Sequence, residues 1–206
     1  MFTGIVAAVG AITQRHSLGV GAGWRVRVQA PALDLGDVAP GDSIAVQGAC
    51  MTVVAVDADG FDFDISLESL SRTVGLDTAG PVNLEKAMRL SDRVGGHLVS
   101  GHVDGVGRVS RFEPVGESRL LEIEAPAELA RYLVYKGSVT VNGVSLTVNR
   151  VADEAHACVV SVNLIPHTLA VTTLKTLVPG GGVNLEVDMI ARYLERMRTV
   201  EAAADR

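Results

Sequence analysis

The stretch Ile44-Ala45-Val46-Gln47-Gly48-Ala49-Cys50-Met51-Thr52-Val53 returns as Val139-Thr140-Val141-Asn142-Gly143-Val144-Ser145-Leu146-Thr147-Val148. Val46/Val141, Gly48/Gly143, Thr52/Thr147 and Val53/Val148 are identical, and Ile/Val, Gln/Asn, Cys/Ser and Met/Leu are close exchanges. Asn142-Gly143 between β-branched residues is the strongest short-range hairpin signal, because both central residues of a type I′ turn need positive φ. Gln47-Gly48 is its weaker copy. Both stretches therefore read as two strands joined by a two-residue turn.

Working outward, more of the chain repeats in the same order. Val82-Asn83-Leu84-Glu85 returns unchanged as Val183-Asn184-Leu185-Glu186, and Thr3-Gly4-Ile5-Val6 pairs with Ser100-Gly101-His102-Val103. The period is about half the chain, too long for a solenoid unit. The expectation is two homologous domains, about 1–96 and 97–188, each built of short strands broken by Gly, Pro and Asp. Strands this short and numerous suit a small barrel or sandwich per repeat. The segments Glu68–Arg72, His167–Leu169 and Pro126–Leu133 read as short helical pieces. Residues 189–206 have no counterpart in the first repeat. There Ile190, Tyr193, Leu194, Met197 and Val200 follow helical spacing, with Asp188 as N-cap.

Composition narrows the function. The chain has 206 residues, 48 % hydrophobic and 20 % charged, which supports a packed core rather than disorder. Eighteen basic against twenty-four acidic residues give a formal charge of −6, the wrong sign for a general phosphate-backbone binder. Aromatic residues at 4 % argue against stacking platforms for single-stranded nucleic acid. Cys50 and Cys158 are too few for a disulfide framework. The N-terminus carries no signal-peptide pattern, and no apolar run approaches the ~20 residues of a membrane helix. The expectation is a soluble cytoplasmic protein. Gly19, Gly21 and Gly23 do not form a dinucleotide fingerprint, and no phosphate-binding loop is present.

Alternate residues of a strand share a face. Cys50 with Thr52, Ser145 with Thr147, and Ser100 with His102 and Asp104 are then three polar rows near glycine turns, lining two related pockets or forming ordinary strand surface. Cys50 is a candidate nucleophile and His102 a candidate acid/base. His97 and His102 lack metal-ligand spacing, and no third ligand is in register, so no metal is expected. From these residues alone, the reading stops at two β-rich repeats with paired small-ligand pockets.

Four segments in order carry a resemblance: Met1-Phe2-Thr3-Gly4-Ile5-Val6, Gly95-Gly96-His97-Leu98-Val99-Ser100-Gly101-His102, Tyr135-Lys136-Gly137, and Gly143-Val144-Ser145-Leu146-Thr147-Val148. With the half-chain repeat, they resemble riboflavin synthases of the alpha-chain type over essentially the whole chain. Met51 and Ala49 depart conservatively from that pattern. The resemblance implies a mainly all-β fold of two tandem six-stranded Greek-key barrels plus a C-terminal helix. It implies a cytoplasmic homotrimer held by that helix, with lumazine synthase as a candidate partner. It also implies a four-carbon transfer between two 6,7-dimethyl-8-ribityllumazine molecules, giving riboflavin and 5-amino-6-ribitylamino-uracil without cofactor or metal.

By motif match, the resemblance assigns a first pocket to Gly4, Ile5, Val6, Ser43, Ala49, Cys50, Met51 and Thr52, with Asp64, Ile65, Ser66, Leu67, Glu68 and Ser69. A second pocket takes Gly101, His102, Val103, Ser145, Leu146 and Thr147, with Ser161, Val162, Asn163, Leu164, Ile165, Pro166, His167 and Thr168. Lys136 reaches a neighbour's site. His102 is assigned to proton transfer, Cys50 and Ser43 to addition at C7 or to positioning a water there, and Asp188 to assistance across the interface. The rival is a non-catalytic lumazine- or flavin-binding antenna protein of the same fold. The presence of Ser43, Cys50, His102, Lys136 and Asp188 favours the enzyme. A flavin-dependent oxidoreductase finds no nicotinamide-binding segment.

Overall fold

A computed structural model describes residues 1–154 and 157–204; residues 205–206 of the expected C-terminal segment lie outside the described residues. The first repeat holds β1 (Ala8–Ser17), β2 (Trp24–Gln29), β3 (Ser43–Val46), β4 (Ala49–Val56), β5 (Gly60–Ile65), the short helix α1 (Leu67–Ser71) and β6 (Gly80–Lys86). The second holds β7 (Gly105–Val115), β8 (Ser118–Pro126), β9 (Ser138–Val141), β10 (Val144–Asp153), β11 (Ala157–Leu164), α2 (Pro166–Val171) and β12 (Gly182–Val187). A C-terminal helix α3 (Met189–Ala204) follows. The piece expected as a helix at Pro126–Leu133 is a tighter 3₁₀ turn, Ala127–Tyr132, because Pro126 still belongs to β8.

Each repeat closes into a six-stranded antiparallel barrel, with order β1-β2-β5-β4-β3-β6 in the first and β7-β8-β11-β10-β9-β12 in the second. The two orders superimpose strand for strand. Even the irregularities match: the register slips at Ile12/Gln14 and Val53/Ala55 in one barrel, and at Val109/Arg111 and Val148/Arg150 in the other. A bulge adds local twist, which a small sheet needs in order to close on itself. Closure leaves no unpaired edge. Inward residues fill each barrel: Ile12, Val28, Ile44, Phe61, Phe63 and Leu84 in the first, Val109, Leu121, Ile123, Val141, Val160 and Leu185 in the second. Cys158 lies in the second core, where burial pushes its thiol up to about 11 and keeps it inert.

The β3–β4 and β9–β10 turns have the conformation read from sequence. Gln47 and Gly48 have φ of 51° and 87°, Asn142 and Gly143 of 51° and 80°. The turns also touch each other. A Cβ on Gly48 would sit 2.7 Å from the Gly143 amide nitrogen, and one on Gly143 would sit 2.9 Å from that of Gly48. Both glycines thus serve the turn and the contact between barrels. Buried side chains lock that contact reciprocally. Asn83 donates to the Asn142 carbonyl at 2.9 Å and accepts from the Thr173 amide at 2.8 Å. Asn184 donates to the Gln47 carbonyl at 3.0 Å and accepts from the Val74 amide at 2.8 Å. Reciprocity of this kind places the barrels about an approximate twofold axis. Among the described residues, no helix is long and apolar enough to cross a membrane.

Candidate active site: two exchanged straps

The segments preceding β1 and β7 do not stay with their own barrels. Phe2 and Val99 exchange backbone hydrogen bonds where the segments cross. Beyond the crossing, the Ser145 amide donates to the Gly4 carbonyl and the Cys50 amide to the Gly101 carbonyl, both at 2.7 Å. Val6 packs on the second core and Val103 on the first. Each strap therefore lies against the outer wall of the other repeat. This corrects the grouping made from chain order. Gly101, His102 and Val103 belong with Cys50, and Gly4, Ile5 and Val6 with Ser145. Ser100, His102 and Asp104 are not on a strand, because β7 begins only at Gly105. The strap has no continuous ladder to extend.

Two equivalent carboxylates hold the straps, and both come from the repeated Val-Asn-Leu-Glu. Glu85 accepts from the Thr3 amide and hydroxyl at 2.7 Å each and from the Gly4 amide at 3.0 Å. Glu186 accepts from the Ser100 amide and hydroxyl at 2.7 Å each and from the Gly101 amide at 2.9 Å. Burial pushes the Glu85 carboxyl up, and the three donors oppose that shift. Neither glutamate, nor Asn83 and Asn184, was assigned a role from sequence. The unchanged recurrence of four residues was the available signal. Close approach explains Gly4 and Gly101: a Cβ on Gly101 would meet the Cys50 Cβ at 2.7 Å, and one on Gly4 the Ser145 Cβ at 2.6 Å.

On the first barrel, Ala49, Cys50, Met51, Glu68, Ser69, Arg72, Thr73, Gly101, His102 and Val103 line an open cleft of about 210 Å³. Enclosed ligand pockets are usually of roughly 300–1,000 Å³, so this cleft supplies one wall of a site. Cys50 is half-buried and His102 exposed within it. Ser43 pairs with Thr52 across β3–β4 but opens into an adjacent depression with Lys86 and Arg89. Met51 and Ile65, like Leu146, Val162 and Leu164, point into the cores, leaving only their backbone for a ligand. Asp64 is held by Arg25 in a two-bond ion pair at 2.8 and 2.9 Å, which keeps its carboxyl below the usual range. Ser66 caps α1 through the Ser69 amide at 3.0 Å, Leu67 is exposed beside it, and Glu68 faces Arg72 at 3.6 Å.

On the second barrel, Ser145 stands where Cys50 stands on the first. His97 lies against it, with Nδ1 2.8 Å from Ser145 Oγ and a buried Nε2 that has no partner among the described residues. Burial lowers the His97 pKa against the pull of Asp188 and Glu186. Sequence reading gives His97 no role of its own beyond excluding a metal site with His102. Thr147, Asn163, Ile165, Pro166 and His167 are exposed on this wall, Thr168 is half-buried and Ser161 buried. Asp188 caps α3, accepting from the Ile190 amide at 2.9 Å. Lys136 has a φ of 65°, where the first repeat has Gly41 at 100°. A left-handed conformation costs a lysine what its glycine counterpart is spared.

The family described as Lumazine binding domain matches residues 3–87 and again 100–188. The chain is 44 % identical to riboflavin synthase of Photobacterium phosphoreum, covering 100 % of this chain and 93 % of that one. It is 45 % identical to riboflavin synthase of Mycobacterium bovis (96 % and 98 % covered) and 37 % to that of Bacillus subtilis (95 % and 89 %). Among solved structures, LumP complexed with 6,7-dimethyl-8-(1′-D-ribityl) lumazine aligns with a TM-score of 0.77 at 26 % identity, over 91 % of this chain and 99 % of that one. LumP complexed with riboflavin aligns at 0.78 and 27 %, with the same coverage. Two strap-covered barrel walls in one chain, matched over their full length, place the chain in the riboflavin synthase family, with two lumazine-binding domains in tandem.

Proposed function

We propose that this chain catalyses the dismutation of two 6,7-dimethyl-8-ribityllumazine molecules, moving a four-carbon unit to give riboflavin and 5-amino-6-ribitylamino-uracil. The observation that carries it is the pair of equivalent walls, one bearing Cys50 with His102 and the other Ser145 with His97. Two identical reactants call for two related sites, and unlike side chains at equivalent positions suit unlike donor and acceptor roles. On this reading, residues 1–96 and 97–188 are the lumazine-binding units and 189–206 the assembly segment of a cytoplasmic homotrimer. The first cleft, being one wall, is completed by the second barrel of a neighbour. Stacking two rings there turns an encounter of dilute molecules into an oriented one.

The donor's C7 methyl loses a proton, and its heterocycle delocalises the resulting carbanion. The acceptor's C7 takes up a nucleophile. His102 moves the proton at the first wall. Cys50 and Ser43 supply or position the group that adds at C7, Thr52 and Thr147 bond the pyrimidine edge, and Lys136 and Asp188 act across the subunit boundary. On α3, Ile190, Tyr193, Leu194, Met197 and Val200 are all at least 50 % exposed, the face that neighbouring copies would cover. Lumazine synthase, which would supply the substrate, is a candidate partner.

The test is incubation of the purified chain with the lumazine alone, followed by visible absorption. Riboflavin is expected; its absence from assembled protein rejects the enzyme in favour of an antenna-type binder. Cutting the chain after Asp188 should give monomers with steeply reduced turnover. A truncated protein that stays trimeric, or a fully active monomer, rejects the assembly reading.

A further inference from the structure

The two straps are anchored differently. Glu85 and Glu186 hold their beginnings alike, but their ends diverge. The strap carrying Ile5 ends at Ala7, whose amide donates to the Leu84 carbonyl at 2.9 Å. The strap carrying His102 ends at Asp104, whose amide makes the equivalent bond to Leu185 at 2.7 Å. Asp104 adds a carboxylate that accepts from the Val187 amide at 2.8 Å and pairs with Arg192 of α3. That carboxylate is only 9 % exposed, so its charge depends on the guanidinium. A second link, Arg131 to Glu195 at 3.1 Å, ties the same helix to the second barrel. The first repeat has neither an acid in the place of Asp104 nor a helix in the place of α3.

We infer that Arg192 is a positioning residue for His102: through Asp104, the C-terminal helix holds the strap that presents the imidazole to the first barrel's cleft. The inference rests on the functional reading above for its kinetic consequence. Its mechanical content stands on the strap itself. Loss of the guanidinium leaves a nearly buried carboxylate with one amide donor. The strap then relaxes at its Asp104 end, two residues beyond His102, while Glu186 still holds the other end. Proton transfer is sensitive to displacements of this kind, because a reacting pair must be held within a fraction of an ångström.

The experiment compares Arg192→Gln, Arg192→Lys and Asp104→Asn in the full chain, each also in a His102→Gln background, with assembly monitored by sedimentation. Asp104→Asn keeps an acceptor for Val187 and leaves the helix untouched, so it reports on the link even where Arg192→Gln weakens assembly. Arg192→Gln and Asp104→Asn should each lower kcat about tenfold, with KM changed less than about twofold. Arg192→Lys should retain more than about half of the parent kcat. In the His102→Gln background, either loss should shrink to less than about twofold. Amide hydrogen exchange should quicken at Asp104 and Val187 but not at the equivalent Ala7 or at Gly101, which Glu186 still holds. Asp104→Asn at the parent rate, an undiminished loss in the His102→Gln background, or unchanged exchange at residue 104 and Val187 overturns the inference. A parent chain that makes no riboflavin overturns the functional reading instead, and the exchange measurement still decides the link.

Discussion

Phe2 and Val99, which hold the same position in the two repeats, exchange both backbone hydrogen bonds, at 2.8 and 3.0 Å. The Phe2 ring is fully buried there, in a small cluster with Ala45 and Val99, and it lies where a side chain on Gly101 would stand. Both straps diverge from this one crossing, so a defect in it reaches both walls.

Phe2→Ala should therefore lower stability by about 3–5 kcal/mol through the cavity it leaves. It should also reduce turnover by more than about tenfold, because both straps lose their common support. Denaturant unfolding and the riboflavin assay, run side by side, check this. Phe2→Leu should recover a large part of both. Full activity in a destabilised Phe2→Ala chain would show that the crossing does not organise the walls.

Lys136→Gly separates binding from folding. The left-handed conformation costs lysine about 1 kcal/mol, and glycine removes that cost while adding about 0.4–1 kcal/mol of unfolded-chain entropy. The melting temperature should stay within a few degrees, and KM for the lumazine should rise. An unchanged KM would remove Lys136 from the site.

Cys50→Ser and His102→Gln should each slow turnover about tenfold or more, with unfolding midpoints close to the parent. Both side chains line one cleft. The double variant should then lose less than the product of the single losses. Independent, multiplying effects would place the two groups on different steps.

His97 predicts an acid-side loss of stability. Its folded-state pKa is depressed by burial, although Asp188 and Glu186 pull it upward. The unfolded chain thus takes up the proton more readily. The contribution is complete above the ordinary imidazole value of about 6.5 and is lost as pH falls through that value to the lower folded one. Urea midpoints measured across this range should decline in the parent. His97→Gln should flatten that part of the profile. Parallel profiles would assign the decline to another group.

The sequence by itself determined two β-rich repeats, their duplication and their turns; the closed barrel followed only from the family resemblance. Alternation of β-branched residues, the Asn142-Gly143 signal and the recurrence of Val-Asn-Leu-Glu are local patterns, and local backbone preference is enough to express them. It also placed Cys50 and Ser145 at equivalent outward positions, and it set the amphipathic helix apart from the repeat. It did not determine which strap serves which wall. Gly4 and Gly101 precede equivalent strands and carry the same backbone donors and acceptors, so chain order assigns each to its own barrel. Tertiary structure reverses this. The barrels meet at the Gly48 and Gly143 turns, with Asn83 and Asn184 reaching across, and in that arrangement the wall nearest each strap belongs to the other repeat. The same holds for His97, whose partner Ser145 is distant in sequence. Periodicity records which face a residue takes on its own strand. Which surfaces face each other is fixed only when two closed barrels pack and every buried amide and carboxylate between them finds its partner.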